Sequence, residues 1–209
     1  MPSSVLHPSV PALAASLADD PFYLAITADF APDAQGRRAV LSQYLDYSLL
    51  EAQRSGQCTL LQDERLGAAL WTLPRPAEAE ATDAQAKVDY LQTVLGPRGM
   101  DNYRQIIAFM GARASGVGLG GAWYLSILGI DPASQGQGLG ARLLAPTLAA
   151  ADQAGVACYL ETFSARNESF YARAGFSAIA SHLEPVTGAP YTIMVRRGVG
   201  KAAQRSAGV

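Results

Sequence analysis

The sequence predicts an α/β (α+β) fold, a sheet flanked by helices, and three observations predict it. Residues 123–196 run as strand, turn, helix, strand, helix, strand, strand. Upstream, helical segments at 38–54 and 78–113 bracket a hairpin pattern at 58–73. The composition suits burial: 49% of the 209 residues are hydrophobic and 16% are charged, below the usual quarter. That length and content support one domain with a real core, spanning 1–197, followed by a flexible polar tail at 198–209.

Each element has its own signal. From 38 to 54, Leu41, Tyr44, Leu45, Leu49 and Ala52 recur at helical spacing, with Gly56 as a stop. Residues 58–62 and 66–73 flank Asp63-Glu64-Arg65 as a hairpin that Pro74 and Pro76 end. Two helices over 78–113 are divided by Gly96-Pro97-Arg98-Gly99. A glycine-rich loop at 116–121 leads into an apolar strand at 123–130. A loop at 131–140 overlaps the start of an Ala/Leu-rich helix at 139–154, which contains Pro146 and should kink there. A strand at 156–161, a short helix at 167–174, and strands at 176–182 and 191–196 around a Pro185/Gly188 turn complete the pattern. Residues 1–20 read as a Pro/Ser/Ala-rich lead, with Asp19-Asp20-Pro21-Phe22 as a helix end or turn.

Charge and cysteine content exclude several function classes. Net charge is −2, 14 of the 16 basic residues are Arg, and no Lys/Arg run offers a nucleic-acid groove. Cys58 and Cys158 sit in separate apolar runs and read as free buried thiols; two Cys and two His make a metal site unexpected. The first 20 residues lack a basic region, and prolines break their apolar run, so neither signal peptide nor membrane span is expected and the location reads as cytoplasmic.

The most informative segment is Gln135-Gly136-Gln137-Gly138-Leu139-Gly140, which follows a buried strand and opens a helix. Glycines there let backbone N–H groups converge, and the helix N-terminus adds unpaired donors and a positive dipole end, an anion site suited to a pyrophosphate. A P-loop would need Gly-Lys-Ser/Thr, which is absent. A dinucleotide fingerprint fits Gly136, Gly138 and Ala141, with Glu161 about 20 residues on. Against it, residues 131–135 separate strand from glycine, and fewer than 50 residues remain after Glu161 for a doubly wound sheet. A plain glycine-rich turn is the third reading.

The segment resembles the GNAT acetyltransferase superfamily. Gln135-x-x-Gly138-x-Gly140 is similar to its Q/R-x-x-G-x-G/A acyl-CoA loop, and Asn167-x-x-x-Tyr171-x-x-x-Gly175-Phe176 to its second hallmark. The resemblance covers residues 123–176 strongly and the hairpin at 58–73 less so; within the superfamily it lies nearest to puromycin N-acetyltransferase-like proteins. The family's first strand has a candidate only at residues 4–7.

What the resemblance implies is specific. The sheet should be mixed, mostly antiparallel, and splayed beside the strand ending at Gly129, with acetyl-CoA as cosubstrate lying in the split. The acyl-CoA core is about 123–176, and the substrate-side helices fall at about 19–56 and 78–113. Cofactor-binding positions are Leu128, Gly129, Ile130, Gln135, Gly136, Gln137, Gly138, Leu139, Gly140, Ala141, Asn167 and Tyr171. Backbone groups of Leu128 and Ile130 would pair with the cofactor amides, and an N–H near Leu128 would face the thioester oxygen. Gly129 suits a bulge or a close backbone approach.

Tyr171 is the candidate acid for the leaving thiolate, since a phenol near pKa 10 can donate to it. Glu161, ending a buried strand, is the candidate base. Trp71, Tyr124 and Glu161 are the substrate-side candidates, and Asn167 holds the cofactor or caps its helix. The two histidines, His7 and His182, read as structural or exposed. The expected acceptor is a small-molecule amine, with protein N-termini, lysine side chains and polyamines left open, and the chain is a candidate homodimer. The rival class is a non-catalytic acyl-CoA-binding or sensor domain.

Overall fold

A computed structural model describes residues 5–198. Its six strands lie in the order β1-β2-β3-β4-β6-β5. They are β1 (Gln57–Leu60), β2 (Gly67–Thr72), β3 (Trp123–Ile130), β4 (Cys158–Thr162), β5 (Ser177–Leu183) and β6 (Pro190–Arg196). Only β3 and β4 pair in parallel; every other neighbour pair is antiparallel. The sheet is therefore mixed and mostly antiparallel, with helices on both faces.

Alternation along the strands splits the core in two. Leu125, Leu160 and Met194 face helix α6 (Leu139–Ala154), where they meet Leu143, Leu144 and Ala151. Ile127, Tyr191 and Ile193 face the other layer, built on α1 (Val10–Leu17), α2 (Pro21–Ile26) and α3 (Ala34–Ser55). Helices α4 (Ala77–Val94) and α5 (Pro97–Gly116) complete that layer, α5 against α2 and α4 against α3. The short α7 (Ala165–Arg173) packs on β4, β5 and β6. Among the described residues no helix is long and apolar enough to cross a membrane.

Three expectations change. Residues 5–7 form no strand, and Ser4 lies outside the described residues, as do 199–209 of the expected tail. The N-terminal lead is instead α1, with Pro11 in its first turn, where proline costs no hydrogen bond. Val10, Leu13 and Ala14 are buried on one face of it, and Leu17 packs beside them, all at i, i+3, i+4, i+7 spacing. Asp20 then caps α2, its carboxylate accepting from Phe22 N–H at 2.9 Å.

The bulge is the second change. Leu70 pairs with Ile127 and Trp71 with Leu125, so the extra residue in β3 is Ser126, not Gly129. Gly129 answers to close approach: a Cβ there would meet Leu13 Cδ2 at 2.8 Å. Third, α7 begins two residues early, so Asn167 is its third residue rather than its cap, and its N–H bonds to the Ser164 carbonyl at 3.0 Å. Helix α6 runs through the exposed Pro146 as one helix.

Candidate active site

Strands β3 and β4 stay together for only three residue pairs, ending at Leu125 with Leu160. Beyond that, β3 pairs only with β2, while β4 follows β6 through Thr162. The sheet therefore opens as a V with Ser126 just past its apex. Asp131 N–H turns toward β2, bonding Leu66 O at 2.9 Å, whereas the Ile130 carbonyl takes the Gln135 side-chain amide at 3.2 Å. Because successive residues on a strand direct their backbone groups to opposite edges, Leu128 and Ile130 aim theirs into the opening.

A cleft of about 920 Å³ occupies this opening. It draws Leu17 and Phe163 from one core cluster and Leu139 and Tyr171 from the other region, so it passes through the split sheet. Its far wall is the loop before α6. Gly136 and Gly138 have φ of 79° and 75°, left-handed values that a side chain would strain. Gly138 is the N-cap of α6, so no side chain caps that end, and no acidic residue occupies its first turn. Its first-turn amides and positive dipole end remain suited to an anion. Gly140 serves packing, since a Cβ there would lie 2.9 Å from Phe170 Cζ.

Of the cofactor-side residues read from the sequence, Leu128, Gly129, Ile130, Gln135, Gly136, Gly138, Leu139, Gly140, Ala141, Asn167 and Tyr171 line this cleft; exposed Gln137 lies in the same loop. Gln135 ties that loop back to β3 through Ile130, a positioning bond. Tyr171 is half-buried, edge-on to Phe170 and Phe176 at 5.2 and 6.1 Å. Burial first, and then the negative charge of Asp20, push its phenol well above the usual value, so it stays protonated. Sequence reasoning missed Asp20, Arg166 and Arg173 in this lining. Arg166 and Arg173 flank Tyr171 on α7 and supply the cleft's positive charge.

Glu161 sits apart from that cleft. It lies on β4 with its carboxylate held by the hydroxyls of Tyr191 and Tyr124. Desolvation raises its pKa, and the two phenol hydrogen bonds lower it less. Tyr124 stacks on Tyr159, with ring centroids 4.7 Å apart, and both line a second cavity of about 710 Å³ that also reaches Ser126 at the apex. Tyr124 thus joins that cavity to Glu161. Tyr124 and Tyr159 alternate with Leu125 and Leu160, so this cavity opens on the face away from α6.

Trp71 borders the same cavity, but its side chain is fully buried in the cluster under α6. His182 stacks on Tyr191 at 6.3 Å, and the N–H of His7 bonds to Asp46. Cys58 and Cys158 are free thiols; burial pushes both up to about 11, so neither is a ready nucleophile. Tyr191, the second partner of Glu161, gave no sign in the sequence beyond its strand.

A V-shaped split in a mixed sheet, with a glycine loop and helix N-terminus at its open end, is the architecture of the GNAT fold. Residues 100–178 match the family described as acetyltransferase (GNAT) domain. Solved structures share the architecture. An acetyltransferase from Corynebacterium glutamicum, described as histone acetyltransferase HPA2 and related acetyltransferase, is 20% identical, with 93% of this chain and 91% of that one covered at a TM-score of 0.61. Arylalkylamine N-acetyltransferase 2 from Aedes aegypti is 14% identical over 95% and 98%, with a TM-score of 0.61. Polyamine N-acetyltransferase from Drosophila melanogaster is 17% identical over 93% and 97%, with a TM-score of 0.54. At such identities the likeness is one of fold.

Proposed function

We propose that this chain transfers an acetyl group from acetyl-CoA directly to the amine of a small molecule. The observation that carries the reading is the opening beyond Leu125, where backbone groups of Leu128 and Ile130 point into a cleft shared with Tyr171 and the glycine loop. Two residues of extended backbone are a template for an amide-bearing chain, and the loop and α6 N-terminus are a template for a pyrophosphate. Arg166 and Arg173 add cations to the same cleft. Similarity to enzymes named for arylalkylamines and polyamines supports an amine acceptor. The resemblance of residues 123–176 to puromycin N-acetyltransferase-like proteins supports a small one.

The thioester supplies the activated acetyl group. The amine nitrogen forms the new C–N bond as the C–S bond breaks. The Leu128 N–H faces the carbonyl oxygen as charge develops there. The amine gives up one proton, which passes by way of Tyr124 to Glu161. The leaving sulfur takes one from Tyr171, and solvent restores both groups. Burial makes the Tyr171 phenol a weaker acid than usual, so its donation rests on placement beside the sulfur, whereas a carboxyl with raised pKa is a stronger base than an ordinary carboxylate. No cysteine borders the cleft, which agrees with direct transfer.

The rival reading, an acyl-CoA sensor, makes a different prediction for Tyr171→Phe. As an enzyme, the variant should lose about 10²-fold in kcat, read as free thiol release over an amine panel, with acetyl-CoA affinity nearly unchanged. A wild-type protein that binds acetyl-CoA but releases no thiol with any amine would favour the sensor.

A further inference from the structure

The cavity beside Tyr124 points to the body that carries the amine. Its charged lining cancels: Glu51, Glu80 and Asp83 face Arg75, Lys87 and Arg104. Most of these groups are already spent on one another. Lys87 Nζ lies 2.6 Å from Glu51 and 5.6 Å above the Tyr44 ring. Arg75 is paired with Asp83, and its backbone N–H bonds to Glu80 at 3.0 Å. A second or third ammonium would therefore find the lining carboxylates largely engaged, leaving Glu161 behind Tyr124 to serve the reacting amine, so the cavity is poorly made for a polycation.

Its remaining surface is largely apolar and aromatic, interrupted by the hydroxyls of Ser48, Ser55, Thr72 and Ser126. Tyr124 and Tyr159 stack at 22° to each other, Tyr103 adds a third ring, and Val88 and Leu119 line it too. Ile107, 41% exposed on α5, belongs to the same lining. Such walls reward a planar ring, through buried area and ring–ring contact. Ser126 and Tyr124, at the apex of the V, mark the end of the cavity nearest the cleft.

We propose that the acceptor is a primary monoamine carried on an aromatic ring system, with its ring against Tyr103, Tyr124 and Tyr159 and its amine toward Ser126. This rests on the acetyl-transfer reading above and names the substrate class within it.

The test compares kcat/KM for phenethylamine and tryptamine with that for putrescine and spermidine, and measures acetyl-CoA binding separately. The aromatic amines should lead by about 10-fold or more, as one ring contact of roughly 1.4 kcal/mol gives. Tyr159→Ala should raise KM for the aromatic amines about 10-fold, and by more than it raises KM for the polyamines, with acetyl-CoA affinity little changed, and Tyr159→Phe should restore KM. Ile107→Asp, at an exposed position, should narrow the preference by favouring spermidine. Equal or better turnover of spermidine or putrescine by the wild type, or an unmoved aromatic KM in Tyr159→Ala, overturns the inference while acetyl transfer stands. Acetyl-CoA binding without turnover of any amine overturns the acetyl-transfer reading and this inference with it.

Discussion

The cleft beyond Leu125 and the cavity beside Tyr124 share strand β3 but are built in different ways. The cleft is made of backbone: an unpaired strand edge, two left-handed glycines and a helix end without a side-chain cap. The cavity is made of side chains brought from α3, α4, α5, β3 and β4. Backbone recognition needs a fixed geometry, so it constrains few positions and constrains them to glycine. A side-chain wall can be rebuilt by exchanging rings and charges while the strand beneath it stays put. That difference suits a protein that holds one cosubstrate and selects another.

The largest expected effect breaks the backbone half. Gly138→Val forces a β-branched residue to a φ of 75° at the mouth of α6. The strain, of order 1–3 kcal/mol, should appear as a loss of up to about 100-fold in acetyl-CoA affinity by calorimetry. An unchanged affinity would mean that the loop is a plain turn.

Glu161→Gln acts at the seam between the two halves. Burial raises the Glu161 pKa, so the basic form appears, and the rate climbs, only as pH rises through that raised value. The variant should lose that limb of the pH–rate profile and about 10-fold or more in kcat/KM. Stability runs with the opposite sign. Because the fold favours the neutral acid, Glu161's contribution is full below the unfolded value near 4.5 and is lost as pH climbs through the raised one; Glu161→Gln should abolish that loss. Thermal unfolding across this range reads it directly.

Gly129→Ala is the mildest. Its Cβ would sit 2.8 Å from Leu13 Cδ2 and 3.4 Å from Leu13 Cα, and Leu13 is fully buried. Overpacking of roughly 1–2 kcal/mol should lower Tm by several degrees. An unchanged Tm would show that α1 can shift.

The same contrast explains what the sequence reveals. The strand at 123–130 and the helix at 139–154 are legible to the residue, since an apolar run and a capping glycine are local signals. The glycine loop is legible for the same reason. Helix α1 carries its apolar spacing openly at Val10, Leu13, Ala14 and Leu17, but prolines and a small-residue composition mask it. The bulge is not legible, because Ser126 is set by where β2 changes register, and Gly129 by a leucine far off in sequence. Nor are the partners of Glu161: Tyr124 and Tyr191 reach it from two other strands. The placement of Trp71 follows from which face its strand position presents, which the register shift at Leu70/Trp71 alters.

The most direct test of acetyl-CoA in the split sheet is thermal unfolding with acetyl-CoA, and in parallel with NAD. A ligand that binds only the folded state stabilises it by about 2.7 kcal/mol at 100 times its Kd, so acetyl-CoA should raise Tm by roughly 5–10 °C and NAD should not. No shift with millimolar acetyl-CoA, or a shift with NAD alone, would contradict the account.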